Sequence, residues 1–450
     1  MERCEKKSNM KEIIRDLLPE WVKKPLRSIR LKQIQIAEYQ TIHAQPKRHR
    51  KALEKIRTKA HKKEKIKVAF FAIHSSVWKY DGVYQLMDKD PRFDPIVVVC
   101  PVVNYGKENM LVEMEKTFKF FKRKGYNVIK TYNEKDDTYL DVKKEVAPDI
   151  VFFTNPYRRL NKDKYYITNF KETLTCYTQY AFYIGNMKIV DQINLLFNNV
   201  LWKAFYETEL HAKMAKQYSR NKGRNVVVTG YSGIDDLKYG GRSGKDIWKN
   251  PDVNLKRIIW APHHTIEGGG QLNCSNFFLY HQLMIDLTEK YRKKVQIAFK
   301  PHPLLKVKLY NHRNWGKDRT DNYYLKWENC PNGQLETDNY IDLFNTSDAI
   351  IFDSGSFIAE YLFCGKPSLF TFLNNKVMER FNKFGKMALE YHYHAYNEAD
   401  IINFLENVVF NGVDTKRDNR GKFYRENLVP PNGVSASENI YNDICKEIWS

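Results

Sequence analysis

The chain has 450 residues and a mass of 53.4 kDa, more than one hydrophobic core usually supports, so two domains are expected. Hydrophobic residues make up 42% and aromatic residues 14%, which excludes a chain that is disordered throughout. No apolar run approaches the roughly 18 residues of a membrane span, and the first thirty residues carry charges throughout. Seven scattered cysteines without a C-x-x-C pair indicate neither disulfides nor a zinc site. Together these features predict a cytoplasmic protein.

The positive charge is concentrated at the N-terminus. The chain carries a net charge of +21, and residues 1–67 hold 21 Lys and Arg against 8 Asp and Glu, a net charge of +13. Apolar residues recur near helical spacing within residues 11–37, whereas residues 47–67 contain almost no aromatics. A solvated tail remains an alternative, and the scarcity of aromatics disfavours nucleic-acid binding. We therefore predict that residues 1–64 form a basic amphipathic helical arm that binds the anionic inner face of the plasma membrane.

Short apolar segments alternate with amphipathic ones from Lys65 onward. The candidate strands are Lys67–Ile73, Pro95–Cys100, Asn127–Lys130, Ile150–Thr154, Asn225–Thr229, Arg257–Ala261, Val295–Phe299, Ala349–Phe352 and Ser368–Phe372. Most are apolar at every position, as is typical of parallel strands covered on both faces. The order predicts an α/β protein with doubly wound, Rossmann-like sheets.

Residues 236–252 are rich in glycine and end near Pro251, which predicts a linker. We expect an acceptor-side domain over residues 65–240 and a second domain over residues 241–435. A last helix over residues 436–450 could pack on either domain.

Ligands of open parallel sheets lie beyond the carboxyl ends of the strands, so the residues that follow each strand are the candidate site. The first strand is followed by an imidazole, two hydroxyls and two aromatic side chains: His74, Ser75, Ser76, Trp78 and Tyr80. This loop could contact an acceptor, with His74 taking a proton. A histidine that merely caps the strand is an equally good interpretation.

Two later strands end in histidines. Arg257–Ala261 leads to His263, His264 and Thr265, with three glycines at 268–270, and Val295–Phe299 leads to Lys300 and His302 between two prolines. Such groups can bind phosphate. A metal is the rival ligand, but adjacent histidines chelate one ion poorly and the sequence shows no third ligand, so no metal site is predicted. A structural turn is the alternative for the second loop.

The segment from Asp338 to Pro367 carries the most specific pattern. An amphipathic stretch precedes a buried strand, the strand ends in Asp353-Ser354-Gly355-Ser356, and a new helix begins there. We expect Ser354, Gly355 and Ser356 to hold a diphosphate. Glu360 lies one turn further on, where it could bind a ribose diol.

These motifs resemble the CDP-glycerol glycerophosphotransferases, the enzymes that polymerise teichoic-acid-like chains, within the GT-B class of two facing domains. Three stretches carry the resemblance: Trp260-Ala261-Pro262-His263, Lys300-Pro301-His302-Pro303, and Ser347-Asp348 through Asp353-Ser354-Gly355-Ser356 to Gly365-Lys366-Pro367. Two features depart from the family. Thr265 stands where an Arg is usual, and the stretch Tyr177–Tyr183 lacks the histidine of the family's Trp-His-Gly-Thr loop, which leaves His74 as its best replacement.

The resemblance implies transfer of glycerol phosphate from CDP-glycerol to an acceptor hydroxyl of a cell-surface polymer, with release of CMP and without a cofactor or metal. His302, His263 and Lys300 would then neutralise the diphosphate, the acceptor would be a glycan or lipid-linked chain, and no nucleic acid would be involved. Two alternatives share much of the pattern: a GT-B glycosyltransferase that uses a UDP- or CMP-sugar, and a UDP-N-acetylglucosamine 2-epimerase-like enzyme.

Overall fold

The computed structural model describes residues 20–104, 106–186, 192–266, 275–337 and 340–450. The chain begins there with a long helix, α1 (Glu20–His61). From residue 42 onward the helix packs on the first half of the protein, burying a stripe at helical spacing: Ile42, Gln45, His49, Ala52 and Ile56. An ion pair of 2.7 Å between Lys59 and Asp149 fastens its end. The C-terminal part of α1 is therefore part of the folded body.

The first sheet is wholly parallel, and an antiparallel hairpin adjoins it. The strands are β1 (Ile66–Ala72), β2 (Phe93–Val99), β3 (Val128–Lys130), the hairpin β4 (Tyr132–Asn133) and β5 (Thr138–Tyr139), then β6 (Ile150–Phe153), β7 (Leu174–Thr178), β8 (Lys203–Tyr206) and β9 (Val226–Val228). The order in the sheet is β3-β2-β1-β6-β7-β8-β9. The chain adds strands on one side of β1 up to β3 and then on the other side from β6 onward. The carboxyl ends of β1 and β6 are therefore a topological switch point.

Helices cover both faces of this sheet. They are α2 (Asp81–Lys89), α3 (Lys107–Arg123), α4 (Val142–Glu145), α5 (Leu196–Val200) and α6 (Glu209–Tyr218). The start of α6 follows from its sequence, because Thr208 accepts a hydrogen bond from the backbone N–H of His211 as an N-cap.

The second sheet repeats the plan with six parallel strands. These are β10 (Lys256–Ala261), β11 (Val295–Phe299), β12 (Gly333–Leu335), β13 (Ala349–Phe352), β14 (Ser368–Thr371) and β15 (Tyr393–Ala395). Their order is β12-β11-β10-β13-β14-β15, so β10 stands at the switch point as β1 does in the first sheet. Helices again flank the strands: α7 (Phe277–Lys290), α8 (Leu305–Tyr310), α9 (Gly316–Asn329), α10 (Ile341–Thr346), α11 (Gly355–Glu360), α12 (Lys383–Leu389), α13 (Glu398–Asn403) and α14 (Arg417–Asn427).

The last helix, α15 (Ala436–Trp449), returns to the first half. Its apolar face contributes Ile440, Ile444 and Ile448 to the hydrophobic core that surrounds β1 and β2. Asp235 caps its start by accepting hydrogen bonds from the backbone N–H groups of Ala436 and Ser437 at 3.0 and 2.9 Å. The sequence had left open which half this helix joins.

The predicted fold class is confirmed: two doubly wound parallel sheets with flanking helices, preceded by a long basic helix. The sequence missed the hairpin strands β4 and β5 and also β7, β8, β12 and β15. The last four are short and contain threonine, lysine, glutamine or histidine rather than an unbroken apolar run. The arm buries one face of α1 from residue 42 onward, whereas the described side chains of its projecting part form no single apolar face. Its exposed apolar residues are Ile29, Leu31, Ile34, Ile36 and Tyr39. At about 100° per residue they fall on two opposite sides of the helix axis rather than on one face.

None of the helices in the described ranges is both long enough and apolar enough to span a bilayer.

Candidate active site

The candidate site lies where β10, β11 and β13 end. One buried carboxylate joins the loops at this edge. Asp353 follows β13, and its two oxygens accept hydrogen bonds from the backbone N–H groups of His263 at 2.5 Å and Asn276 at 2.6 Å. Burial raises the pKa of Asp353 to about 7, although these N–H donors oppose the shift. Asp353 therefore holds the β10 loop and the start of α7 in place.

The β10 and β11 loops meet through their histidines. The backbone N–H of His302 donates to the carbonyl of Pro262 at 3.1 Å, and the His302 ring centroid lies 4.9 Å from that of His263 and 4.2 Å from that of His264. The potential ligand atoms of the three imidazoles all lie within 4.8 Å of one another. The sequence offered no third ligand beside His263 and His264, and the structure supplies one. The cluster is suited to a phosphate group and also has enough ligands for a divalent ion.

The hydrogen bonds of the rings indicate how they could act. Nδ1 of His302 accepts a hydrogen bond of 3.1 Å from the backbone N–H of Leu304, so the proton of the neutral ring is on Nε2. Nδ1 of His263 lies 3.0 Å from the Thr265 hydroxyl. Nδ1 of His264 is buried without a hydrogen-bond partner among the described residues.

All three imidazoles are neutral in the free protein. Burial, reinforced by neighbouring cations and imidazoles, lowers the pKa of His263 to about 2, of His264 to about 4 and of His302 to about 3. The positive charge at this edge comes instead from lysines, because Lys300 and Lys308 contribute to lowering the pKa of His302. The sequence led us to expect that His263 and His302 would neutralise a diphosphate with their own charge. In the ligand-free protein they carry no charge, because burial disfavours the imidazolium ion.

Ser354, Gly355 and Ser356 follow Asp353 at the start of α11. Ser354 is buried, whereas Gly355 and Ser356 line a cavity of about 200 Å³ between the two halves. A Cβ on Gly355 would lie 3.0 Å from Cδ1 of Ile184, which belongs to the first half. The glycine thus allows the two halves to approach closely beside the cavity.

The same cavity is lined from the first half chiefly by the loop after β7, from Gln179 to Gly185, together with Asn198, Tyr206, Glu207 and His211. Most of this loop belongs to the stretch Tyr177–Tyr183, which the sequence identified as the counterpart of the family's Trp-His-Gly-Thr loop. The sequence did not single out the other four residues. From the second half, His263, Arg380 and Phe381 complete the wall beside Gly355 and Ser356. The cavity therefore brings the loop after β7 and the end of β8 to the predicted donor-binding edge.

Glu360, the predicted ribose ligand, is 3% exposed and lies in a closed polar cluster with Lys79, Tyr231 and Tyr340. Lys79, from the loop after β1, donates a hydrogen bond of 3.1 Å to the Tyr340 hydroxyl. Burial raises the pKa of Glu360 to about 7 against the opposing effects of Lys79 and the two tyrosines. Contact with a ribose would require the carboxylate to leave some of these partners.

The predicted acceptor loop is only partly available. Trp78 and Tyr80 are core residues: the Trp78 indole donates to Asp81 at 2.8 Å, and the Tyr80 hydroxyl donates to the Phe153 carbonyl at 2.7 Å. They are therefore not placed to contact an acceptor. Ser75 and Ser76 lie at the surface in a short 3-10 turn. His74 is half-buried beside Glu113, its Nδ1 3.1 Å from the carboxylate, and it is not among the described residues that line the cavity.

Some predicted features fall outside the described residues. The three glycines at positions 268–270 and the start of the last motif at Asp338 are among them. Sequence reasoning missed Glu207, and it recognised Asp353 only as part of a motif without giving it a role. Both directly follow a strand, so the rule that singled out His74 and His302 would have found Glu207 had β8 been recognised.

No family model matches the sequence, and no curated protein does either. Solved structures nevertheless share its fold. A variant of the wall teichoic acid polymerase TagF is 13% identical, with a TM-score of 0.53 over 92% of this chain and 98% of that one. A Listeria monocytogenes protein assigned as a UDP-N-acetylglucosamine 2-epimerase is also 13% identical, with a TM-score of 0.53 over 86% and 97%. MnaA of S. aureus, solved with UDP, is 15% identical, with a TM-score of 0.50 over 84% and 96%. At these identities the likeness shows the architecture: the chain has a GT-B-like fold of two facing Rossmann-like domains.

Proposed function

We propose that this protein is a transferase that moves glycerol phosphate from CDP-glycerol to an acceptor hydroxyl during the synthesis of a cell-surface polymer such as a teichoic acid, capsule or lipopolysaccharide, releasing CMP. The observation that carries the proposal is the cluster of His263, His264 and His302 with Lys300 at the carboxyl edge of the second sheet. A diphosphate is the ligand class that matches such a group of N–H donors and a cation.

The donor would lie along the carboxyl ends of β10, β11 and β13. Lys300 supplies fixed positive charge, and the Nε2–H of His302 donates to the diphosphate where charge develops as the bond to CMP breaks. His263, His264 and Thr265 contact the same group, and Ser354, Gly355 and Ser356 hold its other side. Glu360 binds the ribose after exchanging partners within its buried cluster.

Transfer of glycerol phosphate requires positioning of the reactants and stabilisation of charge, and it needs no covalent intermediate. In this proposal the lysine and the three imidazoles take the place that a metal ion has in other phosphoryl transferases. Turnover should therefore be insensitive to a chelator. Loss of turnover with EDTA, restored by one divalent ion, would assign the imidazole cluster to a metal instead.

A nucleotide-sugar enzyme is the second candidate. The Asp353-Ser354-Gly355-Ser356 and Gly365-Lys366-Pro367 segments also match the pattern of UDP-N-acetylglucosamine 2-epimerases, and two of the structurally similar proteins carry that assignment or were solved with UDP. Both candidates bind a nucleoside diphosphate, so the imidazole cluster suits either of them. The stretches Trp260-Ala261-Pro262-His263 and Lys300-Pro301-His302-Pro303, which resemble the glycerophosphotransferases, favour the first candidate.

We also propose that the protein works at the inner face of the plasma membrane. Residues 28–37 of α1 extend beyond the packed part of the helix, and their exposed side chains include apolar residues and Lys32. Cations and apolar side chains on one projecting helix suit an anionic lipid surface.

Nucleotide-dependent thermal stabilisation tests the proposal. A ligand at 100 times its Kd stabilises the folded state by about 2.7 kcal/mol. CDP-glycerol should raise the Tm by a few degrees, UDP-N-acetylglucosamine should not, and CMP should appear when an acceptor is added. Stabilisation by UDP-N-acetylglucosamine, with no response to any cytidine nucleotide, would overturn the glycerophosphate assignment in favour of the second candidate.

A further inference from the structure

Glu207 is a buried carboxylate at the wall of the cavity between the two halves. It directly follows β8, is 4% exposed, and lines the same cavity as Ser356 and His263. Neither of its carboxylate oxygens has a side-chain hydrogen-bond partner in the parts of the chain that the structure describes. The backbone N–H groups of Glu207 and Tyr183 make only weak contacts with the carboxylate, and these contacts oppose the rise in its pKa that burial causes.

Such a group is unfavourable for folding. A buried donor or acceptor left without a partner costs roughly 1–3 kcal/mol, and more when it is charged. A buried carboxylate that has no side-chain partner and lines a cavity indicates that its hydrogen-bond partner is a bound ligand.

His211 does not supply the missing partner. Its Nε2 lies 2.9 Å from the Tyr183 carbonyl, which can only accept, so Nε2 carries the proton of the neutral ring. Its Nδ1 lies 2.8 Å from the Thr208 hydroxyl and therefore accepts from it. The same Nδ1 is 3.9 Å from Glu207, and in the neutral ring it has no proton to give. His211 is thus held by its own partners, beside the carboxylate but not bonded to it.

The cavity places Glu207 across from the edge that would bind the donor. We propose that this cavity is the acceptor subsite, that it takes a polyol or sugar chain through its hydroxyl groups, and that Glu207 is the catalytic residue that accepts the proton of the attacking hydroxyl. This inference rests on the proposed function. The hydroxyl oxygen forms a bond to the phosphorus that bears the glycerol, the bond from that phosphorus to the bridging oxygen breaks, and its electron pair leaves with CMP. The hydroxyl proton passes to Glu207, which returns it to solvent after the product leaves.

The loop after β7 supports the assignment of the cavity to an acceptor. Tyr180, Tyr183, Gln179 and Asn198 all line it, so the wall contains both aromatic rings and amide groups. Sugars and polyols are bound by this combination, because the rings cover C–H groups while the amides bond to hydroxyls.

Glu207→Gln is the test, with Glu209→Gln as the matched control because Glu209 is exposed two residues away on α6. Three quantities are measured for each protein: Kd for CDP-glycerol by calorimetry, kcat for CMP release with a water-soluble oligo(glycerol phosphate) as the probe acceptor, and Tm. We expect Glu207→Gln to lose at least about 100-fold in kcat, to keep Kd within about twofold, and to keep or raise the Tm because an unpaired buried charge is gone. The control should match the unmodified protein in all three.

A second variant separates chemistry from folding. Glu207→Ala should regain part of its turnover when formate is added, since a small carboxylate can enter the space that the side chain vacates. A purely structural role predicts a lower Tm for Glu207→Gln and no rescue by formate, and either finding would overturn the proposal. A near-normal kcat for Glu207→Gln together with a large loss for His74→Ala would place the proton acceptor at His74.

Failure of the proposed function itself has a different signature. In that case the unmodified protein neither binds CDP-glycerol nor releases CMP, and the role of Glu207 falls with it. If the unmodified protein is active and the Glu207 variants are as active as Glu209→Gln, the proposed function stands. In that case only the inference about Glu207 is wrong.

Discussion

The backbone N–H of His263 donates a 2.5 Å hydrogen bond to the carboxylate of Asp353. Through this contact the end of β10 is fastened to the end of β13, although the two residues are 90 positions apart in the sequence. The other carboxylate oxygen fastens Asn276 at 2.6 Å. Asp353 is thus a positioning residue for the imidazole cluster, and it is buried and not among the described residues that line the cavity.

The first prediction concerns this contact. Asp353→Asn keeps one acceptor oxygen but turns an amide N–H₂ toward a backbone donor, so one buried hydrogen bond is lost. The free energy of unfolding should fall by about 1–3 kcal/mol. It is measured by denaturant titration at pH 5, below the pKa of about 7 that burial gives Asp353, so that relief of a buried charge does not offset the lost hydrogen bond. The exposed Asp318 on α9 provides the control variant Asp318→Asn. Equal stability of the two variants would contradict the role given to Asp353.

The second prediction concerns Ser356, which lines the cavity beside Gly355. Ser356→Ala should raise the KM for CDP-glycerol and leave kcat nearly unchanged, because it removes one hydrogen bond to the bound donor worth about 0.5–3 kcal/mol. Initial rates at saturating acceptor give the two constants. A fall in kcat with an unchanged donor KM would move Ser356 from donor binding to the acceptor side.

The third prediction separates His302 from the residues that merely bind. His302→Ala should lower kcat about 10²–10³-fold with a small change in Kd for CDP-glycerol, because a preorganised donor matters most as charge develops on the leaving diphosphate. His43, exposed on α1, is the matched histidine for a control substitution. If His302→Ala weakens binding as strongly as it lowers kcat, its contact is made equally in the ground state.

The fourth prediction follows from the neutral imidazoles. Burial holds the pKa of His302 at about 3 and that of His264 at about 4 in the free protein. A bound diphosphate places negative charge beside these rings and raises their pKa values, so protons are taken up on binding. CDP-glycerol should therefore bind more tightly as the pH falls from 8 to 6. Calorimetry in two buffers of different ionisation enthalpy measures the uptake, and affinity that is constant over this range would contradict it.

The sequence predicted the architecture because its central strands are short apolar runs with glycine-rich or polar ends. β13 and β11 were predicted with the bounds that the structure gives them, and α15, predicted over residues 436–450, runs from Ala436 to Trp449. The edge strands β12 and β15 escaped prediction because each has only three residues and a polar side chain at its centre. Local pattern is too weak there, and pairing with a neighbour decides the conformation.

The candidate site was predictable on the donor side and much less so on the acceptor side. His263, His302 and Ser356 each follow a recognisable strand, so their meeting at one edge could be expected. Trp78 and Tyr80 follow a strand as well, but their rings pack onto Phe70 and enter the core. The burial of Glu207 depends on how the two halves face each other, which no local pattern encodes.

The last prediction concerns α1, whose two parts behave differently. Removing residues 1–64 would take away Ile42, Ala52 and Ile56, which are buried in the first half, at a cost of about 1.5–3 kcal/mol for each large aliphatic side chain. That truncation should lower the Tm sharply.

Removing residues 1–37 spares the buried stripe and the 2.8 Å ion pair between Glu38 and Arg220. The Tm and the turnover with a soluble acceptor should therefore be unchanged. The same truncation should abolish sedimentation with phosphatidylglycerol vesicles, to which the full chain should bind in a salt-sensitive manner because exposed charges are screened over about 10 Å at 0.1 M. Phosphatidylcholine vesicles are the control. Continued sedimentation of the 38–450 protein with the anionic vesicles would show that the membrane contact lies elsewhere on the fold.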